Sequence, residues 1–429
     1  MKESPYWWED RPPLPDLAER PPAAVDILVV GGGYTGLSAA IAAHDGGAAV
    51  AVIDAGYPGA AASSRNGGMF GAHPRLPLAQ LTEKFGAEVA KGVFNEATPA
   101  LSFVRDLQVR EGIDCDYQNT GRIALAWTRK DFEGHKRLVD DLAKTDVEAR
   151  LVEKKDLGEE IATDLYHGGV VLPQHGAIQP RKFHDGLLSA VLGRGVPVVG
   201  TCEALAVERV SGGYLLKTSL GEIRAEKVIL ATNGYTGRAF PWADRRVFPL
   251  PSFIIATEPM SDNLLGKLAP GRRMMVETRA RHSYFRISPD GSRILFGGRC
   301  SMKPVDMKTA ARRLKATMCE VWPELKDIAL THAWTGFTGY AFTHMPQVGE
   351  AEGLHYALAY SGSGTVMAPY LGAKAAFRAL GDPRGETAYA GTTLRTSWMY
   401  PGGDPHFLKA ADIWYHWAVD PAQNIRARL

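Results

Sequence analysis

The regular part of the chain opens on an apolar run. Val25-Asp26-Ile27-Leu28-Val29-Val30 is short and β-branched, the composition of a strand covered on both faces of a parallel sheet. Glycines follow at once. Gly31-Gly32-Gly33-Tyr34-Thr35-Gly36 passes into an alanine-rich stretch over 37–45 that predicts a helix ending at Gly46 and Gly47, and residues 48–54 predict a second strand. A similar build recurs later. Residues 227–232 predict a buried strand that stops at Asn233-Gly234, and residues 355–360 predict another. Ser361-Gly362-Ser363-Gly364 then forms a tight loop ahead of a helix closed by Gly381. Strand-to-helix turns therefore stand at both ends of the chain. Between them, 100–165 and 241–333 alternate strand-like and helical stretches, the expected home of a second, discontinuous domain.

Composition narrows the class. Hydrophobic residues make up 45% of the 429 positions and charged ones 22%, close to average globular usage, which excludes a disordered or fibrous protein. The 49 basic and 47 acidic residues are scattered, with no long single-sign block to grip nucleic acid or an anionic membrane, so binding to a polyanion is not expected. Cys115, Cys202, Cys300 and Cys319 lie far apart without a C-x-x-C pair, so neither a disulfide framework nor a metal site is expected. No long apolar stretch predicts membrane insertion, and the expected location is cytoplasmic. The proline-rich arm to Pro22 excludes a helix or central strand, and Tyr6, Trp7 and Trp8 are candidates to pin it to the body.

The first glycine turn carries chemistry because of where it stands. Among 46 glycines a lone G-x-G-x-x-G arises readily by chance, but Gly31, Gly33 and Gly36 lie directly between a buried strand and a helix. The first permits the turn, the second lets backbone approach a pyrophosphate, and the third lets helix and strand pack closely. Asp54 ends the next strand 18 residues after Gly36, where a carboxylate accepts hydrogen bonds from adenosine ribose hydroxyls. The turn predicts a dinucleotide site and leaves FAD and NAD both open.

Several further motifs resemble the D-amino-acid-oxidase-like (DAO) superfamily of FAD oxidoreductases, and in particular its gamma-glutamylputrescine oxidase-like branch. They are VVGGGYTGLSAA at 29–40, IDAG at 53–56, ASSRNGGM at 62–69, ATNGYT at 231–236 and YSGSGT at 360–365, with weaker echoes at 175–183, 284–286, 294–299 and 334–349. The resemblance implies an α/β fold: an FAD-binding Rossmann-like domain of GR2/DAO type with an interleaved α+β substrate-binding domain. The implied FAD domain comprises 25–99, 166–240 and 334–385, and the substrate domain 100–165 and 241–333, flanked by an arm (1–24) and a tail (386–429). It implies cofactor contacts from Gly31, Gly33, Tyr34, Thr35, Gly36, Asp54 and Ala55, and from the run Ser63, Ser64, Arg65, Asn66, Gly67, Gly68 and Met69. Ala204, Thr232, Asn233, Gly234, Gly336, Ser361, Gly362, Ser363, Gly364 and Thr365 complete the implied set. Two departures stand out. The C-terminal loop has Gly-Ser-Gly where many relatives have Gly-His-Gly, and Val366 replaces the lysine of sarcosine-oxidase-like members, which bears on the reaction with oxygen. The segment 334–349 lacks the cysteine that carries covalent flavin in those enzymes, so non-covalent FAD is expected.

The implied reaction is oxidation of an amine or amino-acid C–N bond to an imine by hydride transfer to flavin N5, with oxygen or another acceptor taking the electrons. Two rival readings remain at this point: an NAD-dependent dehydrogenase, and a flavin subunit of a heteromeric amine dehydrogenase that needs a protein partner. Catalytic residues are poorly advertised in such chemistry. His73 and Arg75 follow the NGGM run and either bind an anionic group, tune the flavin or form a solvated loop pair. Tyr284 and Arg286 share one side of a strand by alternation and are suited to a substrate carboxylate or to a structural role. His344 and Trp334 are candidates near the flavin or ordinary core groups.

Overall fold

The computed structural model describes residues 1–9, 17–74 and 76–428, with side chains through residue 427. Two eight-stranded sheets organise them. In the first, six strands run in the order Gln347–Ala351, Leu354–Leu358, Gly221–Leu230, Ala24–Val30, Val50–Ile53 and Val198–Val199, and Gly213–Thr218 and Ala204–Val210 branch from Gly221–Leu230 as an antiparallel extension. Ala24–Val30 lies parallel between Gly221–Leu230 and Val50–Ile53, pairing Val29 with Ile229 on one side and Val52 on the other. Alternation divides its side chains between two cores. Ile27, Val29, Val50 and Val52 point into the layer of helices Tyr34–Asp45, Pro180–Gly193 and Gly364–Leu380, while Leu28, Val30, Ala51 and Ile53 pack on the opposite face with Leu216 and Ile223. This double burial is why the run is apolar from Ile27 onwards.

The second sheet runs in the order Leu330–Tyr340, Phe248–Thr257, Ile294–Gly298, Ser283–Ile287, Met274–Glu277, Arg122–Leu125, Gly168–Leu172 and Arg150–Glu153. One face packs against helix Met307–Val321 around Phe253, Phe285, Phe296 and Trp322, with Phe285 and Phe296 stacked at 5.0 Å. The other face looks toward the first domain.

The layers depart from the expected boundaries in three places. Strand Gly168–Leu172 belongs to the second sheet, because it hydrogen-bonds to Arg122–Leu125 on one side and Arg150–Glu153 on the other. Leu330–Tyr340 also belongs there, paired along Phe248–Thr257 from Leu330 to Tyr340. Helix Ala97–Arg110 goes the other way, burying Ala100, Leu101, Val104 and Leu107 in the core of the first domain. The chain thus changes layer a few residues from where composition alone divides it.

The two ends close over the body. Tyr6–Trp8 make one 3-10 turn with Trp7 buried against Trp334. Helix Phe407–Trp414 continues through a π turn at Tyr415–Val419 into Asp420–Arg428. Among the described residues no helix is long and apolar enough to cross a membrane.

Candidate active site

The first glycine turn is built by close backbone approach. Gly31 has φ +111°, in the region that favours glycine, and a Cβ there would lie 2.8 Å from the Ala231 carbonyl oxygen. At Gly36 a Cβ would fall 1.8 Å from the Gly31 oxygen, so the third glycine lets the helix start fold back onto its own turn. Gly33 precedes helix Tyr34–Asp45, and its missing Cβ makes room for the Ser63 hydroxyl, which accepts a hydrogen bond from Tyr34 N at 3.0 Å. Asp54 accepts from Gly32 N at 2.7 Å and from Gly56 N at 2.9 Å. Burial raises its pKa, opposed by those two backbone donors.

Three indole N–H groups fix the next segment. Trp8 Nε1 donates to Ser64 Oγ at 3.0 Å, Trp334 Nε1 to Arg65 O at 2.9 Å, and Trp7 Nε1 to Asn66 O at 2.8 Å. Arg65 also donates to Ala60 O and Thr335 O, and its guanidinium lies over the Trp8 ring. Asn66 bonds the carbonyls of Ala62 and Ser63, and its Oδ1 receives Gly68 N. The aromatic arm and Trp334 of the second sheet together clamp one residue after another of the run 64–66.

The C-terminal turn meets this region from the far side. Ala359 (φ +65°) and Ser361 (φ +53°) are left-handed, Ala359 N donates to Asn233 Oδ1 at 2.9 Å, and Ser361 N donates to Gly339 O. Thr35 and Tyr360 share a hydroxyl hydrogen bond of 2.8 Å, and Gly372 lets helix Gly364–Leu380 rest on the Thr35 carbonyl. Gly364 starts that helix with its free N–H groups toward the same space.

A single cavity of about 1230 Å³ joins these parts. It runs from Gly31 and Asp54, past Arg65 and Met69, to Gly362, Gly364 and the open face of the second sheet. Its size exceeds the roughly 300–1,000 Å³ usual for a drug-sized ligand, enough for a dinucleotide and a small substrate together. Of the cofactor residues expected from sequence, Gly36, Ser64, Gly68, Gly234 and Ser361 do not line it. They act from beneath: Ser64 is buried and donates to Gly59 O, and a Cβ on Gly68 would meet the Ile178 carbonyl at 2.2 Å. The other expected positions, including Ala55, Asn66, Gly67, Ala204, Thr232, Asn233, Gly336, Ser363 and Thr365, do line it.

The substrate-side candidates separate. Tyr284 lines the cavity and shares a 2.9 Å hydrogen bond with Ser252 Oγ, and burial pushes its phenol up to about 12. Arg286 points to the same side of its strand but misses the cavity. It is buried and donates to Ile287 O, Ile178 O and Gln118 Oε1, so the expected Tyr284–Arg286 carboxylate clamp is not assembled. His73 lines the cavity beside Arg122, whose terminal nitrogens lie 3.1 and 3.4 Å from the two ring nitrogens. Arg75 lies outside the described residues. His344 is exposed with φ +59° and does not line the cavity, and Trp334 is a core indole. Sequence reasoning passed over Arg122, His135, Ser252, Arg279, His282 and Arg299, all in the cavity wall. Burial holds His135 down near 4, and the Arg299 guanidinium stacks 4.6 Å from the Tyr340 ring centre. In strand Arg122–Leu125 the alternation of half-buried and buried positions carries the signal, since Arg122 and Ala124 face the cavity and Ile123 and Leu125 the core.

Comparison with known proteins decides the cofactor. The model of the DAO family, FAD-dependent oxidoreductases, matches residues 26–378. The chain belongs to this family. Among its relatives, a probable oxidoreductase OrdL of Rhizobium meliloti is 30% identical over 390 residues, covering 87% of this chain and 88% of that protein. Gamma-glutamylputrescine oxidoreductase of Escherichia coli is 27% identical, with 88% of each chain covered. The glycine oxidase structure from Geobacillus kaustophilus superposes with a TM-score of 0.72 at 20% identity, covering 87% of this chain and 99% of that one. L-proline dehydrogenase from P. horikoshii gives 0.68 at 19% identity, covering 91% and 99%. The cofactor of this DAO-family enzyme is accordingly FAD, which removes the NAD reading. The residues present fit it: Gly31 and Gly33 line the cavity where helix Tyr34–Asp45 begins, a helix start suited to phosphate, and Asp54 keeps lone-pair sites beyond the two taken by backbone.

Proposed function

We propose that this DAO-family oxidoreductase oxidises the C–N bond of an amine or amino acid to an imine, with FAD held non-covalently. The observation that carries this reading is the continuity of the cavity, which brings the nucleotide cradle at Gly31–Asp54 and the wall formed by Tyr284, Ser252, Arg122 and Arg299 into one space. When bound, FAD supplies a two-electron acceptor for hydride from the carbon next to nitrogen. The protein's share is to bind, orient and dry the substrate. Arg122 and Arg299 present fixed cations to an anionic substituent, and the neutral Tyr284 phenol offers a hydrogen bond oriented by Ser252. Phe337 and Tyr235, packed edge to face at 5.9 Å, supply apolar wall. The relatives named for gamma-glutamylputrescine and glycine span amines and amino acids and support both classes.

The test is anaerobic mixing of the purified holoenzyme with a panel of amines and amino acids, followed by the flavin absorbance near 450 nm. Bleaching by at least one member, with an aldehyde or oxo acid recovered after air is admitted, is the expected result. A flavin that no member bleaches, although dithionite does, would sink the proposal.

A further inference from the structure

The C-terminal helix shows opposite faces of opposite character. Its inner face is bonded to the body: Asp412 Oδ1 accepts from Met302 N at 2.7 Å, Asp420 pairs with Arg281, and Gln423 Oε1 accepts from Ala280 N at 2.8 Å. Its outer face is apolar. Ile413, Trp414, Trp417 and Ile425 are 63%, 63%, 75% and 63% exposed, and in the preceding turn Trp398 is 92% exposed beside Met399. Among the described residues, every large exposed tryptophan of the molecule lies in this one segment. Surfaces of this kind are uncommon unless something covers them.

Charge narrows what can cover it. Both acids of the helix, Asp412 and Asp420, are turned inward onto Arg281. Among the described residues the exposed charges of the helix are Lys409 and Arg426; nearby, Arg395, Lys303 and Lys308 are exposed cations, and the exposed Asp306 is engaged as the cap of helix Met307–Val321, accepting from Thr309 N at 2.8 Å. The exposed acid of the segment, Asp404, faces a separate small hollow with Arg238. A second copy of the chain docked through this face would set cations against cations. An anionic bilayer complements it: tryptophan and isoleucine enter the headgroup boundary while lysine and arginine reach lipid phosphates.

We propose that the outer face of the C-terminal helix, with the Trp398 turn, is a peripheral docking surface for anionic phospholipid membranes. The helix lies on the surface without spanning it. Docking also reaches the active site, because the segment held by Gln423 and Asp420 carries Arg279, Ala280 and His282 in the cavity wall. Lipid and the cavity therefore share one structural support.

The experiment is flotation of the FAD-loaded full chain with vesicles of phosphatidylcholine alone or mixed equally with phosphatidylglycerol. Expected are binding to the mixed vesicles, its loss at high salt, and a blue shift of tryptophan emission on binding. Trp414→Ser with Trp417→Ser should weaken partition at least tenfold, and Lys409→Gln roughly fivefold, the effect of one cation near an anionic surface. Flavin content and thermal midpoint serve as folding controls, and Lys409→Gln, a change at an exposed side chain, keeps the test available if the double variant fails to fold. No binding to either vesicle overturns the proposal, as does binding indifferent to phosphatidylglycerol. Concentration-dependent dimers that the tryptophan variants abolish, without vesicle binding, would assign the face to a second copy instead.

Discussion

Replacing Gly33 by alanine tests the cofactor cradle at a point where the strain can be located. The new Cβ would stand 2.8 Å from Ser63 Oγ, inside the 3.4 Å at which ordinary contact begins, and the same hydroxyl accepts from Tyr34 N at 3.0 Å. Ser63 must therefore move. Overpacking of this kind costs about 1–3 kcal/mol, and loss of a partner for the Tyr34 N–H adds about 1 kcal/mol. Ser63 lines the cavity, so a hydroxyl displaced toward it would compete with FAD for that space, and most of the penalty is expected to fall on binding. The expected result is a rise in the FAD dissociation constant of about 30- to 700-fold. Titration of the FAD-free protein, read by flavin fluorescence quenching, measures it, with thermal unfolding of the same protein as control. Adding Ser63→Gly should return Gly33→Ala to the affinity of Ser63→Gly alone, because the obstructing atom is gone. Gly36→Ala admits no such rescue, since its clash at 1.8 Å is with the Gly31 backbone oxygen. Wild-type FAD affinity in Gly33→Ala, or no coupling between positions 33 and 63, would refute the reasoning.

Acid or heat denaturation should release all flavin into the supernatant as intact FAD, because segment 334–349 offers no cysteine for attachment; flavin in the washed precipitate contradicts this. Trp7→Ala should destabilise the protein by about 3–5 kcal/mol and lower flavin retention, while Trp7→Phe, which keeps most of the volume and strands Asn66 O, should cost about 1–3 kcal/mol, both read by denaturant unfolding. Burial holds His135 near 4 against 6.5 for a free imidazole, so its folded form prefers to be neutral. The associated stability is complete above about 6.5 and disappears as pH falls through about 4. His135→Gln should make that acid loss shallower, and an unchanged slope of unfolding free energy against pH would show that His135 does not titrate as described.

What the sequence made legible is what depends on neighbours in sequence. The turn from Val30 through Gly36 to Asp54, and the turn from Tyr360 into helix Gly364–Leu380, each complete their geometry within a short stretch, so spacing and glycine placement are enough to see them. The substrate wall is different. Arg122 and Ser252 come from separate strands of the second sheet and Arg299 directly follows a third, and their placement depends on a register in which Phe253 pairs with Gly298 and Met274 with Arg122. Strand parity was right for Tyr284 and Arg286, yet two residues along the strand move a side chain out of the cavity and beneath Gly68 and Ile178. Sharing a face does not mean sharing a site. Sheet membership near the expected boundaries is hard to read for a related reason: Gly168–Leu172 is apolar and buried throughout like the strands of the first sheet, and its pairing with Arg122–Leu125 places it in the second.

The arm at the start of the chain shows how the two domains depend on one another. Trp7 and Trp8 belong to neither sheet, and Trp334 belongs to the second, yet their three indole N–H groups end on Ser64, Arg65 and Asn66 of the first domain. An indole donates only through Nε1, so each bond fixes the position of a whole ring as well as of its acceptor. The run they hold faces the cavity through Arg65, Asn66, Gly67 and Met69, while Gly67 leaves space for the Tyr284 ring, against which a Cβ would stand at 2.9 Å. A shift of the arm therefore reaches the cavity-lining run 65–67 and the Tyr284 phenol together. This coupling accounts for the two consecutive tryptophans in the Tyr6–Trp8 turn of the arm, one of them nearly fully buried. Apolar burial alone would have been met by leucine or phenylalanine, whereas holding adjacent residues of a loop in place calls for side chains that bring both bulk and a single directed donor.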